Sequence, residues 1–493
     1  MKAAGERGDG VTDTVAAPTA QDPEIAARLM MDDPATYFHA SEREMHSIPR
    51  EQHDAMLLAG VRRRFAELRD RVPILTKLAD EQRVEEIAEI DDVVPLLFSH
   101  TMYKSYPLSL LDNCQFTLLT KWLNKLTSID LSGVDVTQCQ GIDDWVRTLD
   151  EQTAVRIRHS SSTSGHMSFI PRTEAEGLKH FYSMIIGTFD PVGLPVPTPG
   201  HPLGMHLVVP MFASGNTAHA RTNEYLARAV AGNDPSKLHF LYPGRQSSDM
   251  MFLAGRLRAA QALGEADRLE LGPALVARRA EFEAMAKEQE ASVEAFFSVV
   301  IDRLRGQRIY ATATWNVFYN LAQAGLARGI RGVLDPRSVI MTGGGAKGQV
   351  VPPGWEEQVT AFLGVPRLNH GYGMTEVMAS HKMCSEQRFH IEPWSVLFVL
   401  DPDTGDPLPR CGTQTGRAAF FDLLAETYWG GFVSGDEVTV EWTEQCACGR
   451  TTPHMARTVE RYSAQRGGDD KISCAAAADA HDAALNFLTD SLA

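Results

Sequence analysis

The middle of the chain alternates between strand-like and helix-like stretches, and this alternation limits the folds open to it. Runs of apolar residues predict strands, and apolar residues at three- or four-residue spacing predict helices. Strands are predicted at residues 205–212, 238–242, 309–314 and 338–342, with a helix at Trp315–Ala327 between the last two. Such alternation favours an α/β fold with a largely parallel sheet.

The flanking regions have different patterns. The spacing of apolar residues in 23–110 predicts mainly helices, among them helices at 56–68 and 81–90. Residues 276–305 are predicted to form a long charged helix. From residue 418 onward short β segments predominate, and residues 431–442 predict a turn that leads into an alternating strand. We therefore predict a large α/β body with mixed sheets and flanking helices, followed by a small α+β unit.

Charge and cysteine content narrow the function classes. The chain has 493 residues and a formal net charge of −16, which disfavours general binding to nucleic acid or to anionic membranes. The sequence shows no secretory signal and no apolar run near the roughly 18 residues of a membrane span. Seven cysteines without an export signal predict a reducing, cytoplasmic location. A local positive pocket for ATP is compatible with this composition.

A run of small hydroxyl residues follows the predicted strand at 154–158. Its members are Ser160, Ser161, Ser162, Thr163 and Ser164, followed by Gly165. A loop between a strand and a helix offers backbone N–H groups and short O–H donors, which suit a polyphosphate. A solvated turn explains the same composition, because Ser and Thr cluster in loops. Taken alone, the run favours the turn.

Three later elements bear on this choice. The Gly-rich turn at 343–348 lets a flat ligand lie close to the backbone, because glycine has no Cβ. In a Tyr-Gly-x-Thr-Glu element, Tyr372 offers an aromatic face, Thr375 a hydroxyl and Glu376 a hard oxygen ligand for Mg²⁺. Asp436, in a predicted Ser-Gly-Asp turn, can accept hydrogen bonds from two ribose hydroxyls.

These four elements, in this order, resemble the acyl-adenylate-forming superfamily from about Val155 to Ile472. Within it the chain is most similar to the phenylacetate–CoA ligase branch. It is also similar to the acyl-protein synthetases of bacterial bioluminescence and to an adenylate-forming protein of phenazine antibiotic biosynthesis. The stretches at 446–451 and 468–472 carry this closer likeness. Residues 1–22, rich in Gly, Ala, Thr and Asp, predict a disordered tail. The resemblance implies an ATP- and acid-binding domain at 23–455 and a truncated C-terminal subdomain at 456–493.

The resemblance also implies roles for individual residues. Those assigned to ATP are Ser160 to Gly165 at the β- and γ-phosphates, Gly344, Gly345 and Ala346 at the adenine and acid, His370, Gly371, Tyr372 and Gly373 at the adenine, and Asp436 and Arg461 at the ribose. Thr375 contacts the α-phosphate and Glu376 holds Mg²⁺ in this scheme, so both are implied catalytic residues. The implied reaction is attack of a carboxylate on the α-phosphorus of ATP, where positioning and charge neutralisation supply the catalysis.

The chain departs from this pattern in several places. Ser162 stands where many relatives have glycine, and His166 stands where many have lysine; Arg172 is a candidate replacement for that charge. The family's C-terminal domain supplies a lysine and builds a CoA tunnel, but no lysine follows Lys471 here. The resemblance therefore predicts adenylation more strongly than complete thioester formation.

Four further residues have the chemistry of a metal site. Cys384, His390, Cys446 and Cys448 form a Cys-x₅-His and Cys-x-Cys set that suits a tetrahedral structural Zn²⁺, as in some phenylacetate–CoA ligase-like proteins. Unligated packing is the alternative, since cysteine is often buried as a small hydrophobic residue. The sequence leaves both interpretations open.

Three functional hypotheses follow. The first is ATP-dependent adenylation of a carboxylic acid, aromatic or otherwise bulky, within secondary metabolism, with the product passed to a partner enzyme or thiol. The second is acyl transfer onto CoA or a protein thiol, for which Cys474 is a candidate acceptor or else a packed strand residue. The third is a non-catalytic scaffold, which the retained Thr375, Glu376 and Asp436 oppose. The relatives suggest a homodimer.

Overall fold

The computed structural model describes residues 22–160, 166–262, 264, 292–344 and 350–462. Its α-helices are α1 (Pro23–Asp32), α2 (Pro34–Tyr37), α3 (Glu42–Met45), α4 (Arg50–Leu68), α5 (Pro73–Gln82), α6 (Ser109–Asp112), α7 (Phe116–Leu123), α8 (Ile142–Gln152), α9 (Glu174–Met184), α10 (Ile186–Phe189), α11 (Ala218–Ala231), α12 (Ser248–Ala262), α13 (Trp315–Ala327) and α14 (Trp355–Leu363). Its strands are β1 (Val155–His159), β2 (Phe169–Thr173), β3 (His206–Ser214), β4 (Leu238–Arg245), β5 (Ile309–Thr314), β6 (Val339–Gly343), β7 (Asn369–Gly373), β8 (Ser380–Lys382), β9 (Phe389–His390), β10 (Ser395–Leu400), β11 (Thr413–Asp422), β12 (Gly431–Glu441), β13 (His454–Met455) and β14 (Glu460–Arg461).

A six-stranded sheet occupies the middle of the chain, in the order β4-β3-β5-β6-β7-β8. The first five strands run parallel and β8 runs antiparallel at the edge. Helices cover both faces, because a parallel sheet buries both of them. Val208 and Ile340 pack into the core on one face, and Leu207 and Val209 into the core on the other. The predicted parallel α/β body is confirmed.

A second sheet is antiparallel and follows the order β10-β11-β12-β13-β9, with β14 paired to β12. Every residue of β10 is buried, so this strand lies inside the body. The largest core lies between this sheet and the N-terminal helices. The β-rich region begins at Phe389, earlier than the predicted change near residue 418.

The helical N-terminal region agrees with the prediction except at residues 81–90. There α5 ends at Gln82, because Arg83 adopts a left-handed conformation with φ of 56° and caps the helix. A 3₁₀-helix at Ile90–Leu96 follows. Of the predicted helix at 276–305, residues 276–291 lie outside the described residues, and Val299–Arg303 forms a π-helix. The predicted disordered tail, apart from Asp22 at the start of α1, and the strand and helix after residue 469 also lie outside them. Among the described helices, none is long and apolar enough to cross a membrane.

Candidate nucleotide and metal sites

The hydroxyl-rich run joins two antiparallel strands, β1 and β2, and helix α9 begins only after β2. The predicted strand before the loop is present, but a second strand, rather than the predicted helix, follows the loop directly. Ser160 closes the base of the loop: its N–H donates to the Ser168 carbonyl at 3.1 Å, and its Oγ accepts from the Ser168 N–H at 3.0 Å. The predicted phosphate-binding residues from Ser161 to Gly165 lie outside the described residues.

His159, next to this loop, is buried and makes two hydrogen-bond contacts. Its Nε2 lies 3.0 Å from the Oγ of Ser248 at the start of α12, and its Nδ1 lies 3.0 Å from the Ser160 carbonyl. Burial lowers the pKa of His159 to about 4, so the ring is neutral at pH 7. The imidazole therefore ties the loop to α12.

The strongest grouping of predicted residues joins both sheets. The Tyr372 hydroxyl on β7 donates a hydrogen bond to Asp436 Oδ2 at 2.9 Å, and Arg461 Nε on β14 donates to Asp436 Oδ1 at 3.1 Å. Burial, together with the Asp436 charge, raises the pKa of Tyr372 well above its ordinary value, so Tyr372 remains a donor. A carboxylate oxygen accepts more than one hydrogen bond, so Asp436 keeps capacity for ribose hydroxyls.

Asp436 lies inside strand β12, and the predicted turn at this position was wrong. Arg417 pairs with Glu437 and Ala419 pairs with Val433, so three residues of β12 lie opposite one residue of β11. The Ser434 hydroxyl stabilises this bulge: it donates to the Ala418 carbonyl at 2.7 Å and accepts from the Asp436 N–H at 3.1 Å. Bulges redirect side chains next to functional sites, and this one directs Asp436 toward Tyr372.

Thr375 and Glu376 follow the carboxyl end of β7, where ligands bind in open parallel sheets. Buried Arg172 donates through Nη2 to the Thr375 carbonyl at 2.6 Å and through Nε to the Tyr428 hydroxyl at 3.0 Å. Its charge is therefore placed beside the predicted catalytic pair. Buried Asp422 accepts from the Met378 N–H at 2.6 Å and so anchors the backbone after Glu376.

The glycines of the site allow close backbone approach. A Cβ on Gly343, at the end of β6, would lie 2.7 Å from the Gly371 carbonyl oxygen on β7. Any side chain there would push these paired strands apart. Gly344 follows directly, with φ of 77°, a conformation that favours glycine. Its predicted neighbours Gly345 and Ala346 lie outside the described residues.

His370 lies beside α14. Its ring centroid is 6.1 Å from that of Trp355, and its Nε2 lies 3.5 Å from Glu356 Oε1. Burial lowers the pKa of His370 below its ordinary value. Trp315 and Phe318 are buried, and Phe318 packs in the parallel-sheet core together with the partly buried Tyr319.

Two buried ionisable side chains that the sequence did not predict lie next to this site. Lys382 on β8 is 9% exposed, and Glu392 is 2% exposed. The Ser380 N–H donates to Glu392 Oε2 at 2.9 Å, while Lys382 Nζ donates to Ser380 Oγ at 3.0 Å. Burial lowers the pKa of Lys382 and raises that of Glu392. Because lysine is rarely buried in proteins, nothing in the sequence around Lys382 indicated that it would be buried near Glu392.

The four predicted metal ligands come together. The ligand atoms of Cys384, His390, Cys446 and Cys448 all lie within 4.8 Å of one another. Cys384 Sγ is 3.9 Å from Cys446 Sγ, and Cys448 Sγ is 3.3 Å from His390 Nε2. Tetrahedral zinc, with Zn–S bonds of about 2.3 Å, separates its ligand atoms by roughly 3.5–3.8 Å. These spacings fit zinc and far exceed the roughly 2 Å of a disulfide.

The surroundings of the cluster also suit zinc. His390 Nδ1 lies 3.1 Å from Thr452 Oγ1, a contact that orients the ring with Nε2 toward the thiols. Burial lowers the pKa of His390 to about 3, so the imidazole is neutral, as a ligand must be. Burial raises the pKa of the Cys448 thiol to about 12, and a divalent cation supplies the positive charge that thiolates need.

Replacing Tyr372 with phenylalanine is expected to raise the Kd for ATP about tenfold. The change keeps the aromatic face but removes the hydroxyl that holds the Asp436 carboxylate, and hydrogen bonds to charged groups contribute about 1.5–3 kcal/mol. Calorimetric titration with ATP measures this, with Tyr319→Phe in the parallel-sheet core as the matched control. Equal affinity in both variants would remove Tyr372 from the nucleotide site.

Comparison with known proteins finds similarity to two acid–CoA ligases. A 115-residue region is 34% identical to the phenylacetate–coenzyme A ligase of Thermus thermophilus and covers 21% of this chain and 24% of that protein. The match thus spans about a quarter of that relative's length. The fold is similar to that of 2-hydroxyisobutyryl-CoA ligase in an open conformation in complex with 2-HIB-AMP and CoA. The TM-score is 0.50 at 12% identity, over 85% of this chain and 71% of that one. No family model matches the chain.

Proposed function

We propose that the chain is an acyl-adenylate-forming ligase that activates a carboxylic acid with ATP. Its local similarity to a phenylacetate–CoA ligase and its fold similarity to 2-hydroxyisobutyryl-CoA ligase support this. The products are an acyl-adenylate and pyrophosphate. The contact of Tyr372 with Asp436, beside Thr375 and Glu376 at the carboxyl end of β7, carries this proposal. The closer likeness to acyl-protein synthetases and to the phenazine-pathway protein stays a prediction.

In the proposed mechanism, a carboxylate oxygen of the acid attacks the α-phosphorus, and the bond from that phosphorus to the pyrophosphate oxygen breaks. Tyr372 and Asp436 bind the nucleoside, and the hydroxyl-rich loop binds the two outer phosphates. Thr375 orients the α-phosphate, while Arg172 fixes the Thr375 backbone through its carbonyl. Glu376 has the chemistry to hold Mg²⁺, which would neutralise phosphate charge. Catalysis then rests on positioning and charge.

The acid and the acceptor belong to the same proposal. We propose an aromatic or otherwise bulky acid, and the local 34% identity to a phenylacetate–CoA ligase supports it. Transfer of the acyl group to CoA or to another thiol is the proposed next step, because both relatives are CoA ligases by name. The placement of Glu376 beside Arg172-bound Thr375 supports an enzyme over a non-catalytic scaffold.

Acid-dependent pyrophosphate release tests this function. The protein is incubated with ATP, Mg²⁺ and a panel of aromatic and fatty acids, with and without hydroxylamine, which traps acyl-adenylate as a hydroxamate. We expect release with at least one aromatic acid, stimulated by hydroxylamine. Asp436→Ala should weaken ATP binding and lower the rate, because it removes the buried carboxylate facing Tyr372. Silence across the panel, with ATP still bound by calorimetry, would favour the scaffold.

We also propose that Cys384, His390, Cys446 and Cys448 hold one structural zinc ion. The converging ligand atoms and the Thr452 contact to His390 support this second proposal. The four ligands leave no position for a substrate, as in structural rather than catalytic zinc sites.

A further inference from the structure

A cavity of about 170 Å³ lies beside strands β6, β7 and β8. Across β7 and β8, Gly371 pairs with Lys382, and Tyr372 pairs with His381. Successive residues of a strand point to opposite faces, so Lys382 and Tyr372 lie on opposite faces of the sheet. The Lys382 side chain therefore reaches the cavity from one face of the sheet, and Tyr372 of the proposed nucleotide site lies on the opposite face.

Cationic side chains line the cavity, while the carboxylates that act on them, Glu392 and Glu42, lie outside its lining. Lys382, Arg367 and Arg450 line it, and none of its lining residues is acidic. Glu42 pairs with Arg450 Nη2, while Arg450 Nη1 is buried and makes no hydrogen bond. An ammonium has three donors, and Ser380 Oγ accepts one from Lys382. Buried cationic donors cost free energy unless an acceptor pairs with them, so this arrangement favours an anion.

The remaining walls indicate the kind of anion. Met341 and Pro191 contribute apolar surface, and Asn369 contributes an amide. A cavity of roughly 150 Å³ elsewhere holds a benzene molecule, so one aromatic ring fits a space of this size. We propose that this cavity binds a small organic carboxylate, no larger than one substituted aromatic ring. Lys382 and Arg450 bind its carboxylate, and Met341 packs against its apolar part.

The inference does not depend on the adenylation reaction. A Cβ on Gly371 would lie 3.5 Å from Lys382 Nζ, so the ammonium sits directly behind the strand that carries Tyr372. The two sites are neighbours. Of the residues assigned to the nucleotide, His370 also lines the cavity, whereas Tyr372 and Asp436 do not. Glu376 is not among the residues that line the cavity, so changing it should leave carboxylate binding intact.

Calorimetric titration with 4-bromobenzoate, in the absence of ATP, tests the site. Lys382→Met removes the charge at similar length and is expected to raise the Kd at least about tenfold, as expected for a lost charge-assisted hydrogen bond. Arg367→Gln, at the exposed rim of the cavity, should raise the Kd for 4-bromobenzoate severalfold. This variant tests the site even when Lys382→Met fails to fold. Lys121→Met, on the exposed side of α7, is the matched control and should bind normally.

Crystals soaked with 4-bromobenzoate locate the ligand through anomalous scattering by bromine, and a peak beside Lys382 supports the proposal. Unchanged affinity in both cavity variants, or a peak beside Tyr372 alone, would overturn it. Inorganic phosphate that displaces the probe at equal concentration would overturn the assignment to a carboxylate. Glu376→Ala separates the two proposals: lost adenylation with retained probe binding leaves this site standing, whatever the fate of the ligase function.

Discussion

Glu376→Ala is expected to lower acid-dependent pyrophosphate release about a thousandfold while ATP still binds. The carboxylate is the only acidic side chain in the Tyr-Gly-x-Thr-Glu element, and it follows the strand that carries Tyr372. Without it, the charge of the triphosphate is not neutralised as the acid's carboxylate approaches. A loss of that size corresponds to about 4 kcal/mol of transition-state stabilisation, a reasonable amount for one essential electrostatic group.

The matched control is Glu386→Ala, which removes an exposed carboxylate between two of the proposed metal ligands. It should keep full activity, since it changes net charge by the same amount away from the nucleotide site. Glu376→Gln separates charge from size and should be nearly as slow as Glu376→Ala. Pyrophosphate release that survives both Glu376 variants within about tenfold would assign the metal to another residue and remove Glu376 from the catalytic pair.

The parallel sheet was predictable because each strand has a strong local signal. Residues 309–314 form a short β-rich run, and the helix at Trp315–Ala327 has apolar residues at helical spacing, so both appear where the sequence predicts them. The helix predicted at 81–90 failed for a local reason as well. Arg83 takes a left-handed conformation, which no apolar pattern reveals.

The arrangement of the site depends on contacts between distant residues, and these were not predictable from local patterns. The resemblance brought Tyr372 and Asp436 into one site, but the bulge that directs Asp436 arises from the register of β11 against β12. The direction of Arg172 depends on Tyr428, 256 positions away. Lys382 and Glu392 are both buried, and the Glu392 charge counters part of the effect of burial on the pKa of Lys382, a pairing that depends on the fold of the turn and strand between them.

Loss of the proposed zinc ion is expected to lower the free energy of unfolding by on the order of 5 kcal/mol. The four ligands connect the segment around β8 and β9 to the segment between β12 and β13, so the metal would join regions 62 residues apart, as the Cys384–Cys446 contact shows. The binding free energy of a structural zinc ion adds directly to folding stability, and chelation therefore removes a large contribution at once. We expect about one zinc per chain by elemental analysis.

Cys384→Ser is the variant that tests this, because a hydroxyl of similar size binds zinc poorly. It should lose the metal and unfold at lower denaturant concentration, whereas Cys411→Ser, at an exposed cysteine outside the cluster, should match the unchanged protein. A chelator should destabilise the unchanged protein and leave Cys384→Ser unaffected. Equal stability of both variants, with no metal in the purified protein, would show that the four side chains pack against one another without binding zinc. The Cys448 thiol would then remain protonated, since burial raises its pKa and no metal cation would be there to favour its thiolate.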